Sequence, residues 1–291
     1  MATALDEGKP IVALESTVYS NLGLPTPDNE RALTECLAAI RASGAVPCVT
    51  AVLDGTLRAG LDEAEYERIL GAAQKVAERD LAVAAGQTWA VGATTVSGSL
   101  AIASAVGISV FATGGIGGVH RGSEVTGDVS ADLEALARYG VATVSAGIKS
   151  FLDLGKSLEL LETLGVTVVG WQTDHLPSFT ARTSPFAVPH RVDDLAELAA
   201  IASHRLAFGR GMLIANPVPV EFALDQDVHD SALAQALADA EASGVTGAEV
   251  TPFVLGRIVE ASGGESVHAN VALVANNARL AGELAAQLSP Q

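Results

Sequence analysis

The sequence predicts an α/β fold in which a mostly parallel sheet lies between two layers of helices, a three-layer α/β/α arrangement. Short apolar runs alternate with helical patterns along the 291 residues, of which 49% are hydrophobic. Helical segments between successive strands require right-handed crossovers, which place those strands parallel to one another. The chain contains no internal repeat and no low-complexity linker, so residues 1–291 are predicted to form one domain.

Short apolar runs mark the predicted strands, which cover residues 11–14, 46–53, 108–112, 141–146, 166–170 and 212–215. Helices are predicted where start and stop signals flank a helical pattern. Pro27 opens the helix 27–41 and Gly44 follows it, and an acidic first turn opens the helix 62–78. Further helical segments are 150–164, 196–208 and most of the chain after Glu221, while the apolar segment 94–106 ends at Gly107. A turn is predicted at 54–55, and the polar stretch 172–192 is predicted to be an active-site loop.

Composition and charge exclude several classes of protein. The net charge of −17 opposes binding to a phosphate backbone, so no nucleic-acid partner is expected. Two cysteines, Cys36 and Cys48, are too few for a disulfide scaffold or a zinc site, and we interpret them as reduced core residues. The N-terminal ten residues lack the apolar core of a signal peptide, and no apolar run reaches ~18 residues. These features favour a cytoplasmic protein without a membrane partner.

Polar residues follow directly after three predicted strands, where ligands bind in parallel sheets. Lys149, one of four lysines, lies between a buried strand and a helix. Partial desolvation there favours a neutral amine that can attack a carbonyl or a sugar C1′, although such a lysine can also bind phosphate or extend to solvent. Glu15 follows the first strand, where burial suits it to donate a proton or to cap a turn. Thr113 follows the strand that ends at Ala112.

The glycine-rich run 113–122 follows a strand and contains His120 and Arg121. Glycines allow backbone N–H groups to approach an anion closely, so the run is either a phosphate site or a tight turn. It is no P-loop, because no Gly-Lys-Ser/Thr sequence ends it, and His120 stands where a dinucleotide fingerprint needs glycine.

Two carboxylates four residues apart, Asp128 and Asp132, offer hard oxygen ligands for Mg²⁺ or Mn²⁺. The alternative is a helix N-terminus with Ser130 as its cap and Asp132 in the first turn, and both interpretations can hold together. Late in the chain, Asn270 and the pair at 276–277 place amides on an otherwise apolar helix, 266–287.

Taken together, these segments resemble the pseudouridine-5′-phosphate glycosidase family over about residues 10–284. The matching segments are 12–17, 92–96, 111–122, 128–133, 145–150 with 152–153, 161–166, 215–217, 249–253 and 270–280. The resemblance implies an α/β/α fold, assembly as a homotrimer, and bound Mn²⁺ (or Mg²⁺) with Asp128 as its ligand. It also implies that Lys149 attacks C1′ of ribose 5-phosphate and holds the opened sugar as an imine, while Glu15 protonates the carbon of the aglycone.

The same resemblance assigns substrate contacts, which are Val96, Ser130, Ala131, Asp132 and Lys75, with one extra residue in this chain between Lys75 and the segment 92–95. We add Thr113, His120 and Asn270 as candidates for phosphate contacts. The chemistry agrees with the residues: a C-glycosidic bond has no oxygen to protonate, so a pair of carboxylates cannot cleave it. A lysine that forms an imine and an acid that protonates carbon together solve that problem.

Departures from the family pattern cluster in one zone. Leu22 replaces a histidine, Thr180 a tyrosine and Pro185 a glycine, while the residues for ribose phosphate, metal and imine remain. We hypothesise that the sugar half of the site is kept and the aglycone half accepts a larger and less polar group than uracil.

Two alternative functions follow. The imine chemistry run in reverse joins ribose 5-phosphate to an aromatic polyketide, as in the alnumycin-type C-glycosynthases that resemble this family. An alternative of another class is a non-catalytic regulator that binds a sugar phosphate, which needs the glycine-rich run but not Lys149, Glu15 and Asp128 together.

Overall fold

The structure, a computed structural model, describes residues 1–72, 74–245 and 250–289. Ten strands within these residues form one sheet in the order β4-β5-β2-β1-β6-β7-β10-β8-β9, and β3 pairs with β2 outside this path. The strands are β1 (Ile11–Leu14), β2 (Val46–Leu53), β3 (Thr56–Ala59), β4 (Lys75–Val76), β5 (Val91–Thr94), β6 (Val110–Ala112), β7 (Ala142–Ser145), β8 (Thr167–Trp171), β9 (His190–Val192) and β10 (Met212–Ala215).

Twelve α-helices surround the sheet in the described part of the chain. They are α1 (Ala2–Asp6), α2 (Asp28–Ala42), α3 (Glu63–Leu70), α4 (Leu81–Gly86), α5 (Val96–Ala105), α6 (Ser123–Thr126), α7 (Ala131–Arg138), α8 (Leu154–Thr163), α9 (Leu195–Ala207), α10 (Gln226–Ala242), α11 (Val250–Ala261) and α12 (Glu265–Leu288). No helix of the described residues is long and apolar enough to cross a membrane.

The sheet is mostly parallel, which confirms the predicted fold class. β1, β6, β7, β10, β8 and β9 run parallel to their neighbours, whereas β2 pairs antiparallel with both β3 and β5. Successive side chains of β1 point to opposite faces. Val12 and Leu14 therefore join a core with α2, α9 and α12, and Ala13 joins a second core with α5, α7 and α8. Both cysteines are buried and unpaired, as predicted.

Two predicted helices were wrong at one end, and four strands were not predicted, namely β3, β4, β5 and β9, the last of which lies at the end of the stretch predicted to be an active-site loop. The helix predicted over 62–78 ends at Leu70, and Lys75–Val76 instead pairs with β5, a tertiary contact that helical periodicity does not reveal. The helix predicted over 150–164 begins at Leu154, because the side chain of Asp153 accepts a hydrogen bond from the Lys156 N–H and caps it there. The turn at 54–55 is confirmed, but it connects β2 to the unpredicted β3.

Candidate active site

Three adjacent strands bring the predicted acid and nucleophile to one edge of the sheet. β6 lies between β1 and β7, so the residues that follow these strands, Glu15, Thr113 and Lys149, are neighbours. The Thr113 hydroxyl donates a hydrogen bond to the Glu15 carboxylate. The Thr113 N–H donates to the Val144 carbonyl at 3.0 Å, which joins the end of β6 to β7. The role of Thr113 in binding phosphate stays a prediction. In the structure its hydroxyl donates to the Glu15 carboxylate instead.

Glu15 is a buried carboxyl, with 8% of its surface exposed. Desolvation raises the pKa of Glu15, and the nearby Asp132 adds to this, while Lys149, the Thr113 hydroxyl and Lys75 act in the opposite direction. The net effect keeps Glu15 protonated to a higher pH than an exposed glutamate. A protonated carboxyl is the form that a proton donor requires.

A consequence for stability follows from the raised pKa of Glu15. Above the ordinary glutamate pKa the folded state retains a proton that the unfolded chain has lost, so the carboxyl lowers stability as pH rises through the folded pKa. We expect Glu15→Gln to raise the free energy of unfolding at pH 7 to 8, with the gain disappearing below about pH 4. Urea denaturation at several pH values measures this, and a gain that grows as pH falls would contradict it.

Lys149 is held by a turn that packs against the glycine-rich run. Its N–H donates to the Ile116 carbonyl at 3.1 Å, and its side chain is partly buried. Gly147, two residues earlier, has φ +76°, and a Cβ there would collide with the Pro177 carbonyl, so only glycine suits this position. The charge of Lys149 contributes to the pKa of both Glu15 and Lys75, which places all three in one cluster.

Lys75 is the second lysine of this cluster. It lies on β4, which pairs with β5 in the sheet, and much of its side chain remains open to solvent. Desolvation by the surrounding protein, and then repulsion from Lys149, lower the pKa of Lys75. The structure thus brings Lys75 close to Lys149 and Glu15.

Asp132 joins the other predicted substrate contacts by accepting two backbone hydrogen bonds. Its Oδ1 accepts from the Ser97 N–H at 3.0 Å and its Oδ2 from the Gly117 N–H at 2.9 Å. Val96, buried at the start of α5, is therefore fixed beside the glycine-rich run. Ser130 caps α7, since its hydroxyl accepts from the Asp132 N–H at 3.2 Å, which confirms the helix-cap interpretation. Ala131 is exposed.

His120 and Asp128 face each other at the end of the glycine-rich run. His120 Nδ1 lies 3.6 Å from Asp128 Oδ2, and the His120 N–H donates to the Asp128 carbonyl at 3.0 Å. The described residues contain no group of three His, Cys, Asp or Glu side chains that could hold a metal ion. Asp128, with 39% of its side chain exposed, fits a mostly hydrated Mg²⁺ or Mn²⁺ held by one carboxylate.

Two asparagines of α12 face the site in different ways. Fully buried Asn277 donates to the Thr113 carbonyl at 2.8 Å and accepts from Asn216 Nδ2 at 2.9 Å, so it connects α12 to the ends of β6 and β10. Asn270 has a buried side-chain oxygen, Oδ1, with no hydrogen-bond partner among the described residues. The matching segment 249–253 is described only from Val250 onward, because Glu249 lies outside the described residues.

Replacing Asn277 tests this connection. We expect Asn277→Leu to lower the free energy of unfolding by about 2–4 kcal/mol, because a buried carbonyl and a buried amide lose their partner. Asn276→Leu is the matched control: Asn276 is partly exposed and donates to the Pro217 carbonyl at 3.3 Å, so a loss of about 1 kcal/mol or less is expected. Urea denaturation of both variants measures the difference, and equal losses would contradict the assignment.

Sequence reasoning missed two features of this region. The paired backbone contacts of Asp132 depend on the folded positions of Ser97 and Gly117, which no spacing in the sequence indicates. The buried His229 places Nδ1 3.1 Å from the Thr180 hydroxyl, and desolvation lowers the pKa of His229. A lone histidine on the predicted helical segment gave no signal for this contact.

The comparisons with known proteins cover nearly the whole chain. The family model described as indigoidine synthase A like protein matches residues 1–287. The pseudouridine-5′-phosphate glycosidase of Geobacillus kaustophilus is 49% identical, over 99% of this chain and 97% of that protein. That of Escherichia coli is 48% identical, over 97% of this chain and 91% of its own length.

The similarity extends to a solved structure. The prealnumycin C-glycosynthase AlnA, solved in complex with ribulose 5-phosphate, is 38% identical and superimposes with a TM-score of 0.90 over 99% of this chain and 94% of that one. The site assembled above and these full-length matches lead to one conclusion: the chain belongs to the indigoidine synthase A-like family, whose curated members include the pseudouridine-5′-phosphate glycosidases.

Proposed function

We propose that this protein cleaves the C1′–C bond between ribose 5-phosphate and its aglycone, with pseudouridine 5′-phosphate as substrate and uracil as product. The observation that carries the proposal is the cluster of Glu15 and Lys149 at adjacent strand ends, with the pKa of Glu15 raised by burial. The full-length identity to curated glycosidases supports the substrate.

The proposed reaction consumes one water and begins at Lys149. Its amine displaces the ring oxygen from C1′, the oxygen takes a proton from the amine as the ring opens, and the open sugar stays bonded to both Lys149 and the uracil carbon. The nitrogen lone pair then forms the C1′=N bond of a protonated imine as the C1′–C bond breaks, the electron pair of that bond stays on the uracil carbon, and Glu15 donates the proton that completes uracil. Water adds to the imine, which releases ribose 5-phosphate and restores the Lys149 amine, while Glu15 regains its proton.

The other residues of the cluster bind the substrate and affect the pKa of Glu15. We propose that Lys75 and His120 attract the phosphate of the sugar, because the protein is acidic overall and an anion needs local donors. The charge of Lys75 lowers the pKa of Glu15, but burial is the larger cause, so the pKa of the acid stays raised. Thr113 orients Glu15 through its hydroxyl, and Asp132 fixes the glycine-rich run beside the sugar.

We propose that Asp128 holds a divalent ion, Mn²⁺ or Mg²⁺. When bound, the ion supplies positive charge that positions the anionic substrate. Treatment with a chelator is expected to lower the rate of uracil release by about tenfold or more, and added Mn²⁺ to restore it. Asp128→Asn should require a higher Mn²⁺ concentration for half-maximal rate, whereas full activity in chelator would contradict the metal assignment.

The experiment that tests the proposed function follows uracil release from pseudouridine 5′-phosphate in the presence of Mn²⁺. Borohydride reduction with ribose 5-phosphate tests the imine separately, because it leaves a covalent adduct on Lys149. Absence of the adduct would favour the non-catalytic regulator. An adduct without uracil release would favour a C-glycosynthase, the reverse reaction, which the likeness to AlnA supports.

We also propose that the protein assembles as a homotrimer. Light scattering of the purified protein measures the mass against the 29.5 kDa chain, and a monomer would contradict it.

A further inference from the structure

Four hydroxyl side chains form a buried network beside the backbone of Glu15, and we call them the hydroxyl network. They are Ser16, Thr50, Thr94 and Ser99, and none of them has exposed surface. They come from the segment after β1, from β2, from the end of β5 and from α5. Polar groups are costly in a protein interior unless they are hydrogen-bonded. None of the four takes part in the proposed chemistry, so the network serves the site in another way.

Thr94 is the centre of the hydroxyl network. Its hydroxyl donates to the Thr50 carbonyl at 2.8 Å. The hydroxyls of Ser16, Thr50 and Ser99 lie 3.2, 2.8 and 3.1 Å from the Thr94 hydroxyl oxygen. A hydroxyl has one donor and two acceptor sites, so these neighbours fill every site that Thr94 offers. Removal of this one oxygen therefore leaves several buried groups without a partner.

The network fixes the backbone on both sides of Glu15. Before it, the Leu14 carbonyl accepts a hydrogen bond from a hydroxyl of the network at 3.1 Å. After it, the Ser16 hydroxyl accepts from the Thr94 N–H at 2.8 Å, and the Ser16 N–H donates to the Thr94 carbonyl at 3.3 Å. The Thr17 hydroxyl donates to the same carbonyl at 2.7 Å. The acid thus projects from a segment that is held at each neighbouring residue.

Thr94 also connects the acid to the second lysine of the site. Val76, the residue after Lys75, pairs with Thr94 in the parallel register of β4 and β5. The Thr95 N–H donates to the Val76 carbonyl at 3.0 Å. One strand end therefore determines the positions of both Lys75 and Glu15, whose charges each affect the pKa of the other.

We propose that Thr94 and Ser16 are positioning residues for Glu15, which fix the acid at the place from which it donates its proton to the aglycone carbon. The identity of that step rests on the proposed function, but the placement of Glu15 can be measured without turnover. Glutamate has a flexible side chain, and ordering it costs entropy that a fixed backbone reduces. A displacement of about 1 Å at a reacting group can lower a rate by about 100-fold.

Ser16→Ala and Ser99→Ala form the matched pair that tests the proposal. Both serines are fully buried and both contact the Thr94 hydroxyl, but only Ser16 lies next to Glu15. We expect Ser16→Ala to lower kcat for uracil release about tenfold, with KM unchanged and the borohydride adduct on Lys149 still formed. Ser99→Ala should stay within about twofold of the wild type. Equal losses of kcat would overturn the proposal, because a purely structural network predicts them.

Thr94→Val tests the centre of the network. We expect a fall in kcat of about tenfold or more, and recovery to within about threefold in Thr94→Ser, which keeps the hydroxyl. Thr143→Val is the matched control, since Thr143 is fully buried on β7 and its hydroxyl has no hydrogen-bond partner among the described residues. It should behave as the wild type does. If Thr94→Ser is as slow as Thr94→Val, the hydroxyl has no such role and the proposal is overturned.

The Glu15→Gln background shows whether Ser16 acts through the acid. Two changes that affect one step through one group are not additive. We therefore expect Ser16→Ala to lower kcat by less than about twofold when Glu15 is already glutamine. A loss as large as in the wild-type background would place Ser16 in another step and overturn the proposal.

The free energy of unfolding separates the positioning of Glu15 from the proposed function. Glu15→Gln is expected to stabilise the protein near neutral pH, because burial raises the pKa of Glu15. In the Ser16→Ala background a displaced carboxyl gains contact with water, so this stabilisation should fall by about half or more. In Ser99→Ala it should persist. Urea denaturation of the single and double variants measures these differences.

The outcomes of the unfolding and activity measurements are distinguishable. Full stabilisation by Glu15→Gln in the Ser16→Ala background overturns the positioning of Glu15, whatever the activity. A reduced stabilisation in a protein that releases uracil supports the positioning and the reaction together. A reduced stabilisation in a protein that neither releases uracil nor forms the adduct overturns the proposed function, and with it the identification of the positioned carboxyl as the acid of that reaction.

Discussion

Lys149→Ala is expected to lower kcat for uracil release by about 10⁴-fold or more, because removal of a nucleophile abolishes the covalent route. The substitution leaves the turn intact, since the Lys149 contacts that build it are made by backbone atoms. It also removes a positive charge that lowers the pKa of Glu15, so the pKa of the acid stays raised in the variant. The loss is therefore attributable to the amine.

The matched control is Lys156→Ala. Lys156 is exposed, on α8, and pairs with Glu124 at 2.9 Å and Asp153 at 3.4 Å, contacts of the kind that contribute little to stability. Steady-state kinetics and borohydride trapping should show wild-type behaviour for Lys156→Ala, and neither turnover nor adduct for Lys149→Ala. An adduct that persists in Lys149→Ala would assign the imine to another lysine.

Glu15→Gln is the second variant with a large expected effect: we expect kcat to fall by about 10²- to 10⁴-fold. Glutamine has the same shape and can still accept the Thr113 hydrogen bond, but it has no acidic proton to give to the uracil carbon. Bond cleavage should therefore slow while imine formation with ribose 5-phosphate continues. The variant separates imine formation from proton donation. Borohydride trapping measures the imine on Lys149, and uracil release measures the step that needs the proton of Glu15.

Single-turnover kinetics with trapping at intervals measure both steps in Glu15→Gln. Glu260→Gln is the control, since Glu260 is exposed and pairs with Arg257 on α11. The wild-type rate should fall as pH rises through the raised pKa of Glu15, because only the protonated acid reacts. This decrease in rate at high pH should be absent in Glu15→Gln. Unchanged uracil release in Glu15→Gln would remove Glu15 from the proton transfer.

Much of the fold could be predicted because apolar runs report burial directly. The strand over Ile11–Leu14 was predicted at its observed bounds, and so was Met212–Ala215. The errors lie where distant pairing decides local structure. Residues 75–76 continue a helical pattern, yet hydrogen bonds to β5 convert them to a strand. No local property of that segment contains this information.

The candidate site was also predicted where it depends on strand ends and not where it depends on distant contacts. Glu15, Thr113 and Lys149 could be found because the switch-point rule places functional groups after strands, and the strand ends were predicted well. The sequence could not show that Thr113 binds Glu15, because 98 residues separate them. Nor could it show that the Thr94 hydroxyl lies next to the Ser16 hydroxyl, since 78 residues separate them.

The position of α12 has a consequence during synthesis of the protein. α12 packs on α2 and on β1, β6 and β7, and its Asn277 holds the Thr113 carbonyl beside Glu15. A ribosome makes this helix last among the described elements, so a nascent chain has every catalytic group but lacks the support that aligns them. The support for Thr113 and Glu15 is therefore made after the residues that it supports, and it can form only once α12 is present.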